Sequence, residues 1–442
     1  MPLRDLLIAA ILALTLPRAF KHAYIGVLLW TWVSIMNPHK LAYGFTHNAP
    51  IAALIAAVTM ISLFTTKDRV KLPFTTPVFF LAAFVVWMCI TTIFAIFPGE
   101  SANQLNKVLK IQVMVFISMA VLYKFEHIRL FIWVNVLSLG FYGVKGGIYT
   151  ILTGGGGRVW GPPGGFIQGN NELALALIMA IPLMYFLRQT TPHKWIKHGL
   201  IVMMVLSAIS AIGTQSRGAL LALSAMGVVL WWRAPNKFLT GMLGAMVALV
   251  ILAMMPAAWF ERMDTIQNYH DDGSALGRIN AWWAMYNLAN DRILGGGYAV
   301  QNPFVFSLYA PDPTNPLTAH SIYFQTLGEH GYIGLILFLL IWWSGWKLAK
   351  SFRKIDRRNE NIGWLWTLGA MVQVSFVGFA VGGAFLSLAY FDLPYNILLT
   401  LVVAQRWMLE RRWETDERAD VRARPGPSAS LRDRLVYWIR TA

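Results

Sequence analysis

The stretch Val78–Phe97, VFFLAAFVVWMCITTIFAIF, decides the fold class. It holds twenty residues with no charge, no glycine and no proline. At about 1.5 Å of rise per residue, a helix of that length matches the roughly 30 Å hydrocarbon core of a bilayer. In lipid a helix also closes its own backbone hydrogen bonds. The stretch therefore reads as a transmembrane helix.

Similar apolar runs flank it on both sides. Leu6–Leu16 is short and follows Arg4, as a signal-peptide core would, but no small-residue cleavage pattern follows it, so it reads as retained. Pro17-Arg18 separates it from Ala23–Met36, and the two read equally as one bent element or two. Further runs are Ile51–Thr65, Val108–Tyr123, Ile128–Thr150, Leu173–Phe186, Leu200–Ile212, Ala219–Trp232, Leu239–Met255, Tyr332–Leu348, Trp364–Ala389 and Tyr395–Trp407. The expected fold is an all-α polytopic membrane protein with about twelve transmembrane helices. Residues 1–255 form an N-terminal bundle, 256–331 a large polar loop, 332–409 the last helices and 410–442 a basic tail.

The composition agrees. Of 442 residues, 57% are hydrophobic and only 13% charged, against about 25% charged in soluble proteins. A single cysteine, Cys89, excludes an internal disulfide and a cysteine metal cluster. The net charge of +16 does not indicate nucleic acid, because the basic residues sit in short loops between apolar runs. The positive-inside rule places Lys67–Lys71, Lys124–Arg129, Arg188–Lys197, Arg233–Lys237 and Lys347–Arg358 in the cytoplasm. The other connections, Asn37–Pro50, Pro98–Asn106, Gly154–Asn171, Thr214–Gly218 and Pro256–Gly331, then face outward. The C-terminus is cytoplasmic. Its Leu431, Leu435, Trp438 and Ile439, interleaved with Arg432, Arg434 and Arg440, read either as a basic amphipathic helix on the inner leaflet or as a disordered tail.

The outward loops carry the chemistry. Thr318 is a good N-cap, which would put His320 in the first turn of a helix, where the positive helix end disfavours an imidazolium. A histidine held neutral can accept a proton; the plain alternative is an interfacial histidine at a helix start. Arg217 lies in the tight hairpin Thr214–Gly218 and reads either as an anion contact or as a snorkelling lipid contact. Arg278 sits on Ser274–Leu294, an amphipathic segment whose Ile279, Trp282, Trp283 and Tyr286 suggest a helix on the outer interface. Arg262 and Arg292 have acidic neighbours, Glu261 and Asp291, with which to pair. Arg158 lies in the Gly/Pro-rich run Gly154–Gly165, too broken for a helix or strand. Asn170 and Asn171 are candidate caps of the next span. Asp264, His270, Asp271 and Asp272 lack metal-ligand spacing, so no metal site is expected. What remains is an anion pocket with a candidate base at the outer membrane boundary.

These residues carry a resemblance. Arg158 with Gly161 and Asn170-Asn171-Glu172-Leu173-Ala174, then Ser216-Arg217-Gly218, Gly277-Arg278, and His320-Ser321 with Gly331 ending the loop, resemble the O-antigen ligase family over roughly 154–348. Trp32–His39 is similar to the exosortase-associated O-glycosylation ligases. The resemblance implies a GT-C-like glycosyltransferase of the bacterial inner membrane with a periplasmic active site. The implied donor is a glycan on undecaprenyl diphosphate and the implied acceptor a hydroxyl of lipid A-core. It implies no cofactor, no metal, no nucleic acid and no obligate protein partner beyond membrane lipids. His320 matches the family's essential histidine, and Arg217, Arg278 and, less closely, Arg158 its diphosphate-binding arginines. Asn170, Asn171, Ser321 and Tyr323 are candidate substrate-positioning residues. An O-antigen polymerase and a protein O-glycosylation ligase would use the same donor. A lipid-linked glycan transporter is a reading of another class, disfavoured because most charge lies outside the spans and no inverted repeat is visible.

Overall fold

The computed structural model describes residues 3–65, 71–234, 236–253 and 273–416. Among these the regular structure is entirely helical. The N-terminal part holds α1 (Leu3–Lys21), α2 (Ala23–Met36), a 3-10 turn (Pro38–Leu41), α3 (Ile51–Thr65), α4 (Thr76–Ile93), α5 (Pro98–Val121) and α6 (Phe125–Leu152). Next come α7 (Asn170–Thr190), α8 (Lys194–Gly213), α9 (Arg217–Arg233) and α10 (Lys237–Ala253). The polar connection carries α11 (Gly273–Asp291) and α12 (Pro303–Tyr309), and α13 (Ile322–Phe352), α14 (Trp364–Gly383) and α15 (Asp392–Leu409) follow.

Each expected apolar run holds a helix over most of its described residues; residues 94–97, 122–123 and 384–389 fall outside those helices. Among the described residues, seven helices, α4 to α8, α13 and α14, are long and apolar enough to cross a membrane. The chain is a polytopic membrane protein. The first two runs are separate helices, broken at His22 in extended backbone (φ −135°, ψ 100°), and they pack on each other and on α3.

Several boundaries differ from the sequence reading, among them the following. α5 starts at Pro98, so Pro98–Asn106 is not a loop but the polar first turns of a helix; proline fits there because the first helical N–H has no partner to lose. α13 starts at Ile322, so the expected loop end at Gly331 falls inside a helix. α14 stops at Gly383, leaving 384–391 as a turn. Lys67 to Val70 of the first basic connection, Glu261, Arg262, Asp264, His270 to Asp272 and the amphipathic C-terminal stretch lie outside the described residues.

Two helices form the centre. α7 packs against α6, α8, α9 and α14. α15 buries 15 of its 18 residues, as an element surrounded on all sides must. Three of its polar residues have partners: Asn396 donates to Asn135 at 3.0 Å, Ser34 donates to Asp392, and Arg406 donates to the carbonyls of Leu122 (2.6 Å), Met119 and Ala120. A guanidinium at the carbonyl end of α5 is favourable both as donor and as charge. α6 and α8 approach closely through small residues; a Cβ at Gly147 would lie 2.4 Å from the Leu206 carbonyl oxygen.

The connections sort to two ends. At one end Val159 N bonds Gly213 O (3.2 Å), Asn170 bonds Thr214 O (2.8 Å) and Ile96 N bonds Gly296 O (2.8 Å). At the other lie Arg406 and the rings of Phe125, Trp364 and Trp407, packed tilted and edge-on against one another, beside the basic connections after α5, α7 and α13. All the candidate site residues belong to the first end.

Candidate active site

The polar connection after α10 is a folded cap. Ala281, Ala284, Met285 and Leu288 of α11 meet Val305, Phe306 and Ala319 in an apolar cluster of its own. The Asn280 side chain accepts from the Asp312 amide and donates to the Asp312 carbonyl, both at 2.8 Å. The chain is thereby folded back along α11. Leu317 packs on Gly277, where a Cβ would lie 2.2 Å from its Cδ1. Glycine at 277 permits this approach and brings the turn bearing Arg278 up to the segment bearing His320.

Arg217 is placed by a cap. Gln215 takes left-handed backbone (φ 56°), and Ser216 Oγ accepts from the Ala219 amide at 3.2 Å. Arg217 therefore opens α9. A cleft there is lined by Asn171, Gln215, Ser216, Arg217 and Arg278, with Phe385 and Leu386 of the 384–391 turn as an apolar wall. Two guanidiniums at the positive end of a helix, with no carboxylate among the lining residues, suit an anion. Glu172, in the first turn of α7, is close enough for its charge to act on Arg278.

His320 does not sit in a helical turn. The helix starts two residues later, with Ser321 as its N-cap residue. His320 itself has φ 42°, a conformation uncommon outside glycine and held only where the surroundings enforce it. The enforcement is visible one residue earlier: the Ala319 amide donates to Gln301 Oε1 (2.9 Å), and its carbonyl accepts from Trp282 Nε1 (2.6 Å). Trp282 is fixed in turn by stacking on Phe324, with ring centres 5.1 Å apart and planes at 5°. His320 Nδ1 is buried and makes no hydrogen bond. Burial pushes the imidazole below its usual pKa, and the Arg278 charge pushes it further. The cause of its neutrality is thus desolvation and a neighbouring guanidinium, not the helix end.

The other expected residues divide. Arg158 does not line the arginine cleft directly; its Nε donates to Gln215 Oε1 (3.2 Å), and Gln215 does line it. Asn171 lines the cleft. Asn170 is not a cap, since Gly169 holds that position; its amide instead ties α7 to the α8–α9 hairpin through Thr214 O. Ser321 is buried and makes no side-chain capping bond. Tyr323 points its hydroxyl to the Ala380 carbonyl (2.9 Å), bracing α13 on α14. Arg292 reaches the carbonyls of Phe94 (2.9 Å) and Gly295 (3.3 Å), and Asp291 accepts from Tyr309 (2.6 Å). Among the described residues no group of three or more His, Cys, Asp or Glu converges to hold a metal.

Sequence reasoning missed the clamp. Trp282 reads as a member of an outer aromatic belt, but only Trp283 and Tyr286 of that group are exposed. It also missed what Gly331 does. Gly331 breaks α13 with φ 66° and ψ −172°, and a Cβ there would lie 2.0 Å from the Ile293 carbonyl oxygen. Glycine lets the Gly295–Gly297 turn lie against the helix, where Gly296 and Gly297 donate to the carbonyls of Gly328 and Glu329, both at 2.9 Å. Beside the break, the Tyr390 hydroxyl donates to Glu329 and bonds His330 Nε2 (2.8 Å), while Thr91 bonds His330 Nδ1 (2.7 Å). The half-helix that starts beside His320 is thus pinned at its far end.

Compared with known protein families, residues 202–339 match the model described as O-Antigen ligase. That span contains Arg217, Arg278 and His320. Residues 3–192, which contain Arg158, Asn170 and Asn171, match a family of unknown function (DUF5935). No curated protein matches the chain.

Proposed function

Since residues 202–339 belong to the O-antigen ligase family, which supports glycosyl transfer of the ligase or polymerase type, we infer that the chain transfers a glycan from undecaprenyl diphosphate to a hydroxyl of lipid A-core. The reaction takes place at the periplasmic face of the inner membrane. This orientation is supported by the described basic connections at the end of the bundle opposite the cleft, since basic loops favour the cytoplasmic side.

The observation that carries this reading is the convergence of Arg217, Arg278 and His320. The two arginines line one cleft, and the charge of one of them acts on the half-buried histidine. In the proposed step the diphosphate lies in the cleft. The acceptor oxygen attacks the anomeric carbon, its O–H proton passes to the neutral His320 imidazole, and the anomeric C–O bond breaks with its electron pair leaving on undecaprenyl diphosphate. Preplaced guanidiniums favour the charge growing on that leaving group. A single displacement inverts the anomeric configuration. Arg158 acts at the rim through Gln215, and Asn171 is the amide within reach of the bound group.

The test is a reconstituted assay with undecaprenyl-diphosphate-linked glycan and separated acceptors. Glycan appearing on lipid A-core supports the reading. Growth of chains on the prenyl diphosphate with no core present would make the protein a polymerase. Transfer only to a protein hydroxyl would make it a protein O-glycosylation ligase, the outcome to which the resemblance of Trp32–His39 points.

A further inference from the structure

A second cavity opens at the same end of the bundle, in the part of the chain whose family has no known function. Its volume is about 410 Å³, within the roughly 300–1,000 Å³ typical of small-molecule sites. It lies between the end of α2, the 3-10 turn, the first turns of α5 and the Gly/Pro-rich loop that follows α6. Trp30, Phe166, Asn37, Gln104, His39 and Lys107 are among the residues that line it.

No acidic side chain is among the lining residues. His39 lines the cavity, and its Nδ1 is buried with no hydrogen-bond partner. Burial, and then the charges of Lys40 and His47, hold that imidazole below its usual pKa; at neutral pH it is a hydroxyl partner rather than a cation. The cavity is also joined to the arginine cleft by one piece of chain. Gly164 to Phe166 line the cavity, and Arg158 of the same loop bonds Gln215 in the cleft. The loop is seated, because Gly165 approaches Asn37 so closely that a Cβ would lie 2.3 Å from its Nδ2, and Gln168 Oε1 accepts from the Gly164 amide at 3.0 Å.

Aromatic faces suit the C–H faces of a sugar ring, amides and a neutral imidazole suit its hydroxyls, and an ammonium suits a phosphate or carboxylate on it. We propose that this cavity binds an acidic sugar of the acceptor, with Lys107 on its anionic group and Trp30 and Phe166 on its ring. The proposal rests on the ligase reading for the word acceptor, but the binding itself does not depend on it. The Gly/Pro-rich loop then lies between donor cleft and acceptor cavity and sets the distance between the two substrates.

Saturation-transfer NMR on the full chain in phosphatidylcholine nanodiscs tests it, with glucose 6-phosphate, glucuronic acid and glucose as probes. Both acidic sugars should give signal and glucose much less. Lys107→Gln, at an exposed position, should weaken the acidic probes about tenfold, the scale of a charge-assisted hydrogen bond. Arg217→Lys should leave their binding unchanged. In transfer assays Lys107→Gln should raise the acceptor KM and leave the donor KM alone. Equal binding of all three sugars, no binding of either acidic sugar, or a Lys107→Gln variant that binds like wild type would overturn the site. So would loss of the sugar signal on adding phosphatidylglycerol, which would make the cavity a lipid-headgroup site. Binding with these properties in a protein that transfers no glycan would sink the ligase reading and leave the site standing.

Discussion

Replacing Trp282 by phenylalanine isolates the hydrogen bond that holds the peptide before His320. Phenylalanine keeps an aromatic face on Phe324, now stacked at 5.1 Å, and removes only the Nε1 donor. The Ala319 carbonyl, which accepts that bond at 2.6 Å, belongs to a residue with 0% exposure. Water does not replace the donor there without local opening. A buried acceptor left unmet costs about 1–3 kcal/mol. The cheapest relief is for the 319–320 peptide to turn, because His320 at φ 42° is already in a sparsely populated conformation. Turning it moves the imidazole away from Arg278. At 1.36 kcal/mol per factor of ten, transfer should fall about 5- to 150-fold. Initial rates of the purified variant in proteoliposomes, with thermal unfolding measured in parallel, give the answer. The fall should appear in kcat, with donor KM near wild type because both arginines are untouched. A variant with wild-type kcat and wild-type thermal midpoint would refute the claim that this bond positions His320.

Other outcomes follow from the same geometry. Arg278→Gln removes the second of the two causes that depress the His320 pKa. The base works only when neutral, so activity is lost as pH falls through that pKa; the acid limb of kcat/KM should lie below the usual histidine value of about 6.5 in wild type and move to higher pH in the variant. An acid limb that stays put would remove Arg278 from the neighbourhood of the base. Arg217→Lys keeps the charge but loses the planar fork, and kcat/KM should drop more than about tenfold; near-full activity would mean the cleft needs charge alone. Gly331→Ala forces a Cβ to within 2.0 Å of a backbone oxygen at φ 66°. Strain of about 1–3 kcal/mol from backbone alone, plus that contact, should lower the thermal midpoint by several degrees, and an unchanged midpoint would contradict the packing of the Gly295–Gly297 turn on α13.

The legible part of the fold was its lipid-facing chemistry. An uncharged run such as Val78–Phe97 has one physical reading, and its helix is present at Thr76–Ile93. Helix starts were less legible where polar residues continue a helix beyond its apolar run, as in α5, because hydropathy measures burial in lipid and not backbone conformation. The arginines and His320 were legible as outward ionisable groups in a chain poor in charge. The clamp on His320 was not, because Trp282, Gln301 and Ala319 are brought together by the cap's own core, and a tryptophan on an amphipathic segment reads the same whether it faces lipid or a neighbouring carbonyl. Asn170 shows the converse: a residue type suited to capping a helix instead ties the start of α7 to the α8–α9 hairpin, with Gly169 at the cap position.

The most direct measurement is the rate of glycan transfer by His320→Ala, purified, folded by its thermal transition, and supplied with saturating donor and lipid A-core. Loss of the proton acceptor predicts a fall of about 10²–10⁴-fold in kcat, with donor binding retained by Arg217 and Arg278. A folded His320→Ala protein that transfers glycan at close to the wild-type rate would contradict the account.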